Sequence, residues 1–135
     1  MKKADREAYR DKNLEWLKAK ALEPGVKEIT KGVLYRVIES GDKEGNSPKP
    51  TSVVTVRYEG RTIDGKIFDA DMDGVPPAFR LRDLIPGWTI ALEQMRPGDH
   101  WELYLSSDMA YGKFSQPGIP AFSTLIFDLH LLAVN

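Results

Sequence analysis

The stretch Ile85-Pro86-Gly87-Trp88-Thr89-Ile90-Ala91-Leu92-Glu93-Gln94-Met95 restricts the possible folds more than any other part of this sequence. Proline fits the first turn of a helix, where its missing N–H would have no partner. Ile85, Trp88, Leu92 and Met95 then recur at helical spacing, so one short helix presents one apolar face. On either side the apolar residues alternate instead, from Ser52 to Glu59 before it and from Trp101 to Ser106 after it, with a further β-rich run from Thr124 to Val134. A lone helix among strands must bury its face against the apolar side of a sheet. The expected fold is therefore α+β, a bent antiparallel sheet wrapped around one short helix. Trp88 would point into the concave side of that sheet, and spacing alone does not separate a core tryptophan from the floor of a cavity.

The rest of the chain supplies the strands and one appendage. Lys3 to Leu22 is rich in helix formers and is stopped by Pro24-Gly25, so residues 1–24 read as a charged helical extension and 25–135 as the main domain. Tyr9, Leu14, Trp16, Leu17 and Ala21 form only a ragged stripe on that helix. It is either a solvated appendage lying on its own domain or an arm that binds a partner or a second copy. Gly25 to Ile29 and Val33 to Ile38 read as short strands about a turn, and residues 41–50 as a polar loop. Tyr58 shares a strand face with Val54 and Val56. Asp64-Gly65 is a turn, followed by a return strand on which Phe68 and Asp69 point to opposite sides unless the strand bulges. Asp71 to Pro77 must be a loop, and Ala78 to Leu81 leads into the helix. Ser107-Asp108 is expected to cap a short turn holding Met109-Ala110-Tyr111.

Several function classes are excluded. With no cysteine there is neither thiolate chemistry nor a disulfide framework. A net charge of −1 gives no electrostatic footprint for nucleic acid or an anionic membrane. No apolar run of about 18 residues occurs. The expected compartment is the cytoplasm, or the periplasm if a leader has been removed. His100 and His130 lie on different strands with no carboxylate at ligand spacing, so both are expected at the surface or a sheet edge, not as metal ligands. Asp71 and Asp73 precede Gly74 without the glutamate that a calcium loop requires. No nucleophile elbow and no phosphate-cradling glycine loop is present, and no cofactor is expected.

What does occur is an ordered set: Val56-Arg57-Tyr58-Glu59-Gly60, Asp64-Gly65-Lys66-Ile67-Phe68-Asp69, Ile85-Pro86-Gly87-Trp88, Met95-Arg96-Pro97-Gly98, Ala110-Tyr111-Gly112, Gly118-Ile119-Pro120 and Thr124-Leu125-Ile126-Phe127-Asp128. This series resembles the peptidyl-prolyl cis–trans isomerases of the FKBP type over about residues 50–134. The part before it is similar to the bacterial branch that includes the macrophage infectivity potentiators. The resemblance implies an aromatic pocket between sheet and helix, with Trp88 as floor and Tyr58, Phe68 and Phe127 as walls. Asp69 would be the carboxylate at its edge and Tyr111 the hydroxyl that holds a substrate carbonyl. Leu84, Ile85 and Ile119 would line the rim, and Phe122, where relatives differ, would add an apolar contact. The second aromatic that many members carry after the Asp69 position has no clear counterpart, because Phe79 fits the following strand better.

The resemblance implies proline-containing polypeptides as substrates, macrolides of the FKBP type as inhibitors, and a monomer or a weak dimer through the N-terminal helix. Rotation about an X–Pro bond moves no proton and needs no covalent intermediate, so the lack of a nucleophile, base or metal suits it. The rivals are a chaperone or adaptor holding apolar segments without catalysis, and a docking module built on the N-terminal helix.

Overall fold

The computed structural model describes residues 2–135, so Met1, the first residue of the expected extension, lies outside the described residues. Helix α1 (Lys3–Lys20) is followed by strands β1 (Val26–Thr30), β2 (Val33–Glu39), β3 (Val53–Arg61), β4 (Ile67–Asp71) and β5 (Ala78–Arg80). Helix α2 (Pro86–Leu92) and strands β6 (His100–Leu105) and β7 (Leu125–Val134) complete the chain. All pairings are antiparallel, in the order β1-β2-β6-β7-β3-β4, with β5 also pairing with β3. No helix among the described residues is long and apolar enough to cross a membrane.

α2 sits in the concave face as its periodicity requires. Pro86 opens it, and Trp88, Ala91, Leu92 and the following Met95 are buried against Val54, Val56, Leu103, Leu105 and Leu129. The approach is close because residue 87 is glycine: a Cβ there would lie 2.4 Å from Leu105 Cδ2. A side chain at that position would force helix and sheet apart.

α1 ends at Lys20, two residues earlier than expected. Leu22 and Glu23 donate to the carbonyls of Ala19 and Lys20, the tighter i→i+3 pattern, because the residue before a proline resists the helical region. Its stripe covers the outer face of its own sheet, where Trp16 and Leu17 pack on Leu34, Tyr104 and Ile126. Asn13, 1% exposed, accepts the backbone N–H of Thr124 at 2.8 Å and donates to the Tyr9 carbonyl at 2.7 Å. The Tyr9 and Ser123 hydroxyls are hydrogen-bonded at 2.8 Å. The helix thus fastens the end of the 112–124 loop.

The expected cap at Ser107-Asp108 is corrected. Those residues lie inside a 3-10 turn (Ser107–Met109), and neither Ser106 nor its successors make a side-chain capping bond.

Candidate functional site

The third residue of α2 and the concave faces of β3, β4, β5 and β7 bring aromatic rings together. Tyr58 and Phe127 stand edge-on to Trp88, with centroids 5.1 and 5.2 Å away and interplanar angles of 82° and 84°. Phe68 meets Phe127 at 5.7 Å and 88°. Edge-to-face contacts match the positive rim of one ring to the negative face of the next, and each adds about 0.5–1.5 kcal/mol beyond burial. The rings therefore fix one another around a cavity of ≈ 280 Å³. Its walls are Tyr58, Phe68, Asp69, Phe79, Asp83, Leu84, Ile85, Trp88, Tyr111 and Phe127. That is near the small end of ligand pockets, which suits a single ring with its flanking backbone.

Two local features of the sheet make this possible. Gly60 pairs with Asp69 and Arg61 with Ile67, which leaves Phe68 as the extra residue of a β-bulge. The bulge cancels the strict alternation of β4, so Phe68 and Asp69 both reach the cavity instead of facing opposite sides. Gly60 lies beneath the meeting point of two rings: a Cβ there would be 2.6 Å from Phe68 Cζ and 2.7 Å from Phe127 Cε1.

The polar edge of the cavity is small and ordered. The Tyr58 hydroxyl donates to Asp69 Oδ2 at 2.8 Å. Burial pushes the Tyr58 hydroxyl well above the ordinary tyrosine value, and its hydrogen bond to Asp69 adds to the shift. Burial also raises Tyr111, with the Asp69 charge as the second cause. Both stay protonated hydroxyls around neutral pH. Trp88 Nε1 is buried without a hydrogen-bond partner, an uncompensated donor in the cavity floor.

The structure thus collects Tyr58, Phe68, Asp69, Trp88, Tyr111, Phe127, Leu84 and Ile85 at one place. Ile119 and Phe122 are not among the residues that line this cavity, although Ile119 belongs to the same buried cluster as Trp88 and Phe127. Ile119 is 5% exposed and packs into the core, held by reciprocal backbone hydrogen bonds with Gln116. Phe122 adopts a left-handed backbone, φ 64°, donates its N–H to the Gly112 carbonyl, and lies under the Arg10 guanidinium of α1 at 4.9 Å. Phe79 and Asp83 are walls that the sequence reading missed. Phe79 does lie on a strand, as expected, but β5 sets it opposite Val54, and its ring stands 6.4 Å from both Tyr58 and Trp88. A strand paired beside the core valines was the available signal. For Asp83 there was none beyond its place next to Leu84.

The histidines also need correcting. His100 and His130 are direct partners across β6 and β7, their rings stacked with centroids 3.6 Å apart. A carboxylate does accompany them: Asp128, two residues before His130 on the same face, contacts His100 Nε2 and lies 3.5 Å from His130 Nε2.

Comparison with known proteins agrees with this geometry. Residues 44–132 match the family described as FKBP-type peptidyl-prolyl cis-trans isomerase. The chain is 44% identical over 133 residues to the FKBP-type isomerase FkpA of Escherichia coli (strain K12), covering 98% of this chain and 47% of that protein. It is 40% identical over 127 residues to the isomerase Mip of Coxiella burnetii, covering 93% of this chain and 54% of that one. The chain spans about half the length of these curated relatives. Among solved structures, a peptidyl-prolyl cis-trans isomerase from Pseudomonas syringae superposes with a TM-score of 0.88 at 38% identity, covering 96% of this chain and 95% of that one. Crystalline FkpA from Escherichia coli superposes with a TM-score of 0.90 at 41% identity, covering 98% of this chain and 62% of that one.

Proposed function

The chain belongs to the FKBP-type peptidyl-prolyl cis–trans isomerase family, and we propose that it accelerates rotation about X–Pro bonds of unfolded or partly folded polypeptides, without cofactor. The observation that carries this reading is the closed set of edge-to-face rings over Trp88, with one Tyr58–Asp69 hydrogen bond at its edge.

The bond to be turned has partial double-bond character and a barrier of about 18–20 kcal/mol. Halfway through the rotation the amide loses its resonance and its charge separation. An apolar, water-poor cavity favours that twisted form over the planar amide, which is the differential binding that catalysis needs. An acceleration of about 10⁵ asks for roughly 7 kcal/mol. The rings of Tyr58, Phe68, Trp88 and Phe127 would hold the proline, with Phe79 closing the wall behind Tyr58. The Tyr111 hydroxyl, kept neutral, would donate to a flanking substrate carbonyl and fix that part of the chain while the bond turns. Asp69 acts through Tyr58, whose hydroxyl it holds; no proton transfer is assigned to it. Macrolides of the kind that bind this family would compete for the same cavity.

The test is proline-limited refolding of a client protein with Trp88→Leu and Phe127→Ala. The expected result is loss of catalysis while the circular dichroism spectrum persists. Undiminished catalysis by both folded variants removes the assignment. Binding of unfolded chains without any acceleration by the wild type would favour the holding-chaperone alternative.

A further inference from the structure

Outside the aromatic cavity, one cluster of side chains is built like a site and has no part in the reaction described above. β6 and β7 alternate, so Trp101 and Leu129 face the core while His100, Asp128 and His130 project from the opposite, outer face of the sheet. We propose that His100, Asp128 and His130 form a binding site for a divalent transition-metal ion of the Zn²⁺, Co²⁺, Ni²⁺ and Cu²⁺ class.

The geometry comes from the sheet itself. One ligand atom from each of the three residues lies within 4.8 Å of the others. Tetrahedral coordination at metal–ligand distances of about 2.0–2.1 Å sets neighbouring donors about 3.4 Å apart. The His130 Nε2 to Asp128 Oδ1 separation is already 3.5 Å. His100 Nε2 touches the same carboxylate oxygen, so a small rotation of Asp128 opens room for an ion between them. Paired central strands, not loops, set the positions of all three residues.

The donor chemistry selects the ion. Two imidazole nitrogens and one carboxylate oxygen suit borderline metals, whereas Mg²⁺ and Ca²⁺ want oxygen ligands throughout. The side chains are 17%, 35% and 31% exposed for His100, Asp128 and His130, so an ion can enter from solvent and retain water in its remaining positions. Charges of both signs stand on the neighbouring strands. Glu39 is in register with His100 on β2 and adds negative charge. Arg57, in register with His130 on β3, spends its guanidinium on the carbonyls of Asp73 and Gly74 and on Asp71. Glu102 is engaged by Arg61 and by the Tyr104 hydroxyl.

The experiment titrates the tag-free, chelator-treated full chain by calorimetry with Zn²⁺, Cu²⁺, Ni²⁺, Co²⁺, Mg²⁺ and Ca²⁺, each alone, and follows Co²⁺ by visible absorption as well. The expected result is one saturable site per chain, tightest for Cu²⁺ in the order Cu²⁺ over Ni²⁺ over Co²⁺, with no heat from Mg²⁺ or Ca²⁺. His100→Gln, His130→Gln and Asp128→Asn should each weaken Zn²⁺ at least tenfold while proline-limited refolding activity stays at the wild-type level. The wild-type protein gives a second readout, because Zn²⁺ should shift the imidazole NMR signals of His100 and His130, the two histidines of the chain, and leave the ring signals of Trp88 and Phe127 in place. Absence of saturable binding below about 1 mM Zn²⁺, undiminished binding in the folded histidine variants, or imidazole signals that do not move would each overturn the proposal.

Discussion

Replacing Gly60 by alanine adds one methyl group where two cavity walls meet, and the structure sets the size of the disturbance. The new Cβ would stand 2.6 Å from Phe68 Cζ, 2.7 Å from Phe127 Cε1 and 2.9 Å from Phe68 Cε1. Carbon atoms rest at about 3.5–4.0 Å, so the rings must retreat by about 1 Å. Gly60 is not among the positive-φ glycines, so alanine brings no backbone strain of that kind. Overpacking of this type costs about 1–3 kcal/mol of stability. A misplacement of about 1 Å in a positioning wall costs up to about a hundredfold in rate. Gly60→Ala is therefore expected to lower the urea midpoint modestly and kcat/KM by about ten- to a hundredfold. Protease-coupled cleavage of X–Pro peptides reads the rate, at a temperature where circular dichroism shows the variant folded. A folded variant with wild-type kcat/KM would refute the argument that Phe68 and Phe127 must sit where they do.

Three further outcomes follow from the same geometry. Tyr58→Phe keeps the ring and removes the hydroxyl held by Asp69; a positioned hydrogen bond is worth about 0.5–1.5 kcal/mol, so kcat/KM should fall about two- to tenfold, and an unchanged value would show that the bond does not serve catalysis. Asn13→Ala leaves the buried Thr124 N–H without its acceptor and should cost about 1–3 kcal/mol in chemical denaturation, whereas an exposed change such as Lys12→Ala should cost almost nothing. Burial raises the pKa of Tyr58, Tyr111 and Tyr104, the last to about 12, above the ordinary 10.0. Their contribution to stability is therefore complete below pH 10 and is lost as pH rises through the folded-state values, because the unfolded chain then binds fewer protons. The urea midpoint should fall above pH 10, and one that holds level to pH 12 would contradict these shifts.

How much was legible in the sequence depends on which interactions are local. The apolar period of residues 85–95 and the alternation of β3, β6 and β7 are set by neighbours along the chain, and they yielded both the helix and the sheet. Tyr58 and Phe127 took their faces from strand alternation and Trp88 from the helical period, but their meeting around one cavity was implied only by the family resemblance. Phe68 and Asp69 shared the cavity only because of a one-residue bulge, a pairing irregularity that no pattern within β4 records. Phe79 was hidden for a similar reason, since its role comes from β5 lying beside β3. The surroundings of Phe122 and Ile119 were not legible, because the conformation of the 112–124 loop is decided by hydrogen bonds to itself and by α1, not by its composition. The His100–Asp128–His130 cluster depended on a cross-strand register that the spacing of two histidines 30 positions apart does not disclose.

The clasp between α1 and the end of the 112–124 loop has an implication for what counts as the unit. The family match begins at residue 44, yet β2 shares a ladder with β6, and Asn13 supplies an acceptor that Thr124 would otherwise lack. The segment carrying Tyr111 runs between β6 and this fastening. Slack introduced at the far N-terminal end should therefore be felt as looser packing at the aromatic cavity, about a hundred residues downstream in the chain but adjacent in the cooperative structure.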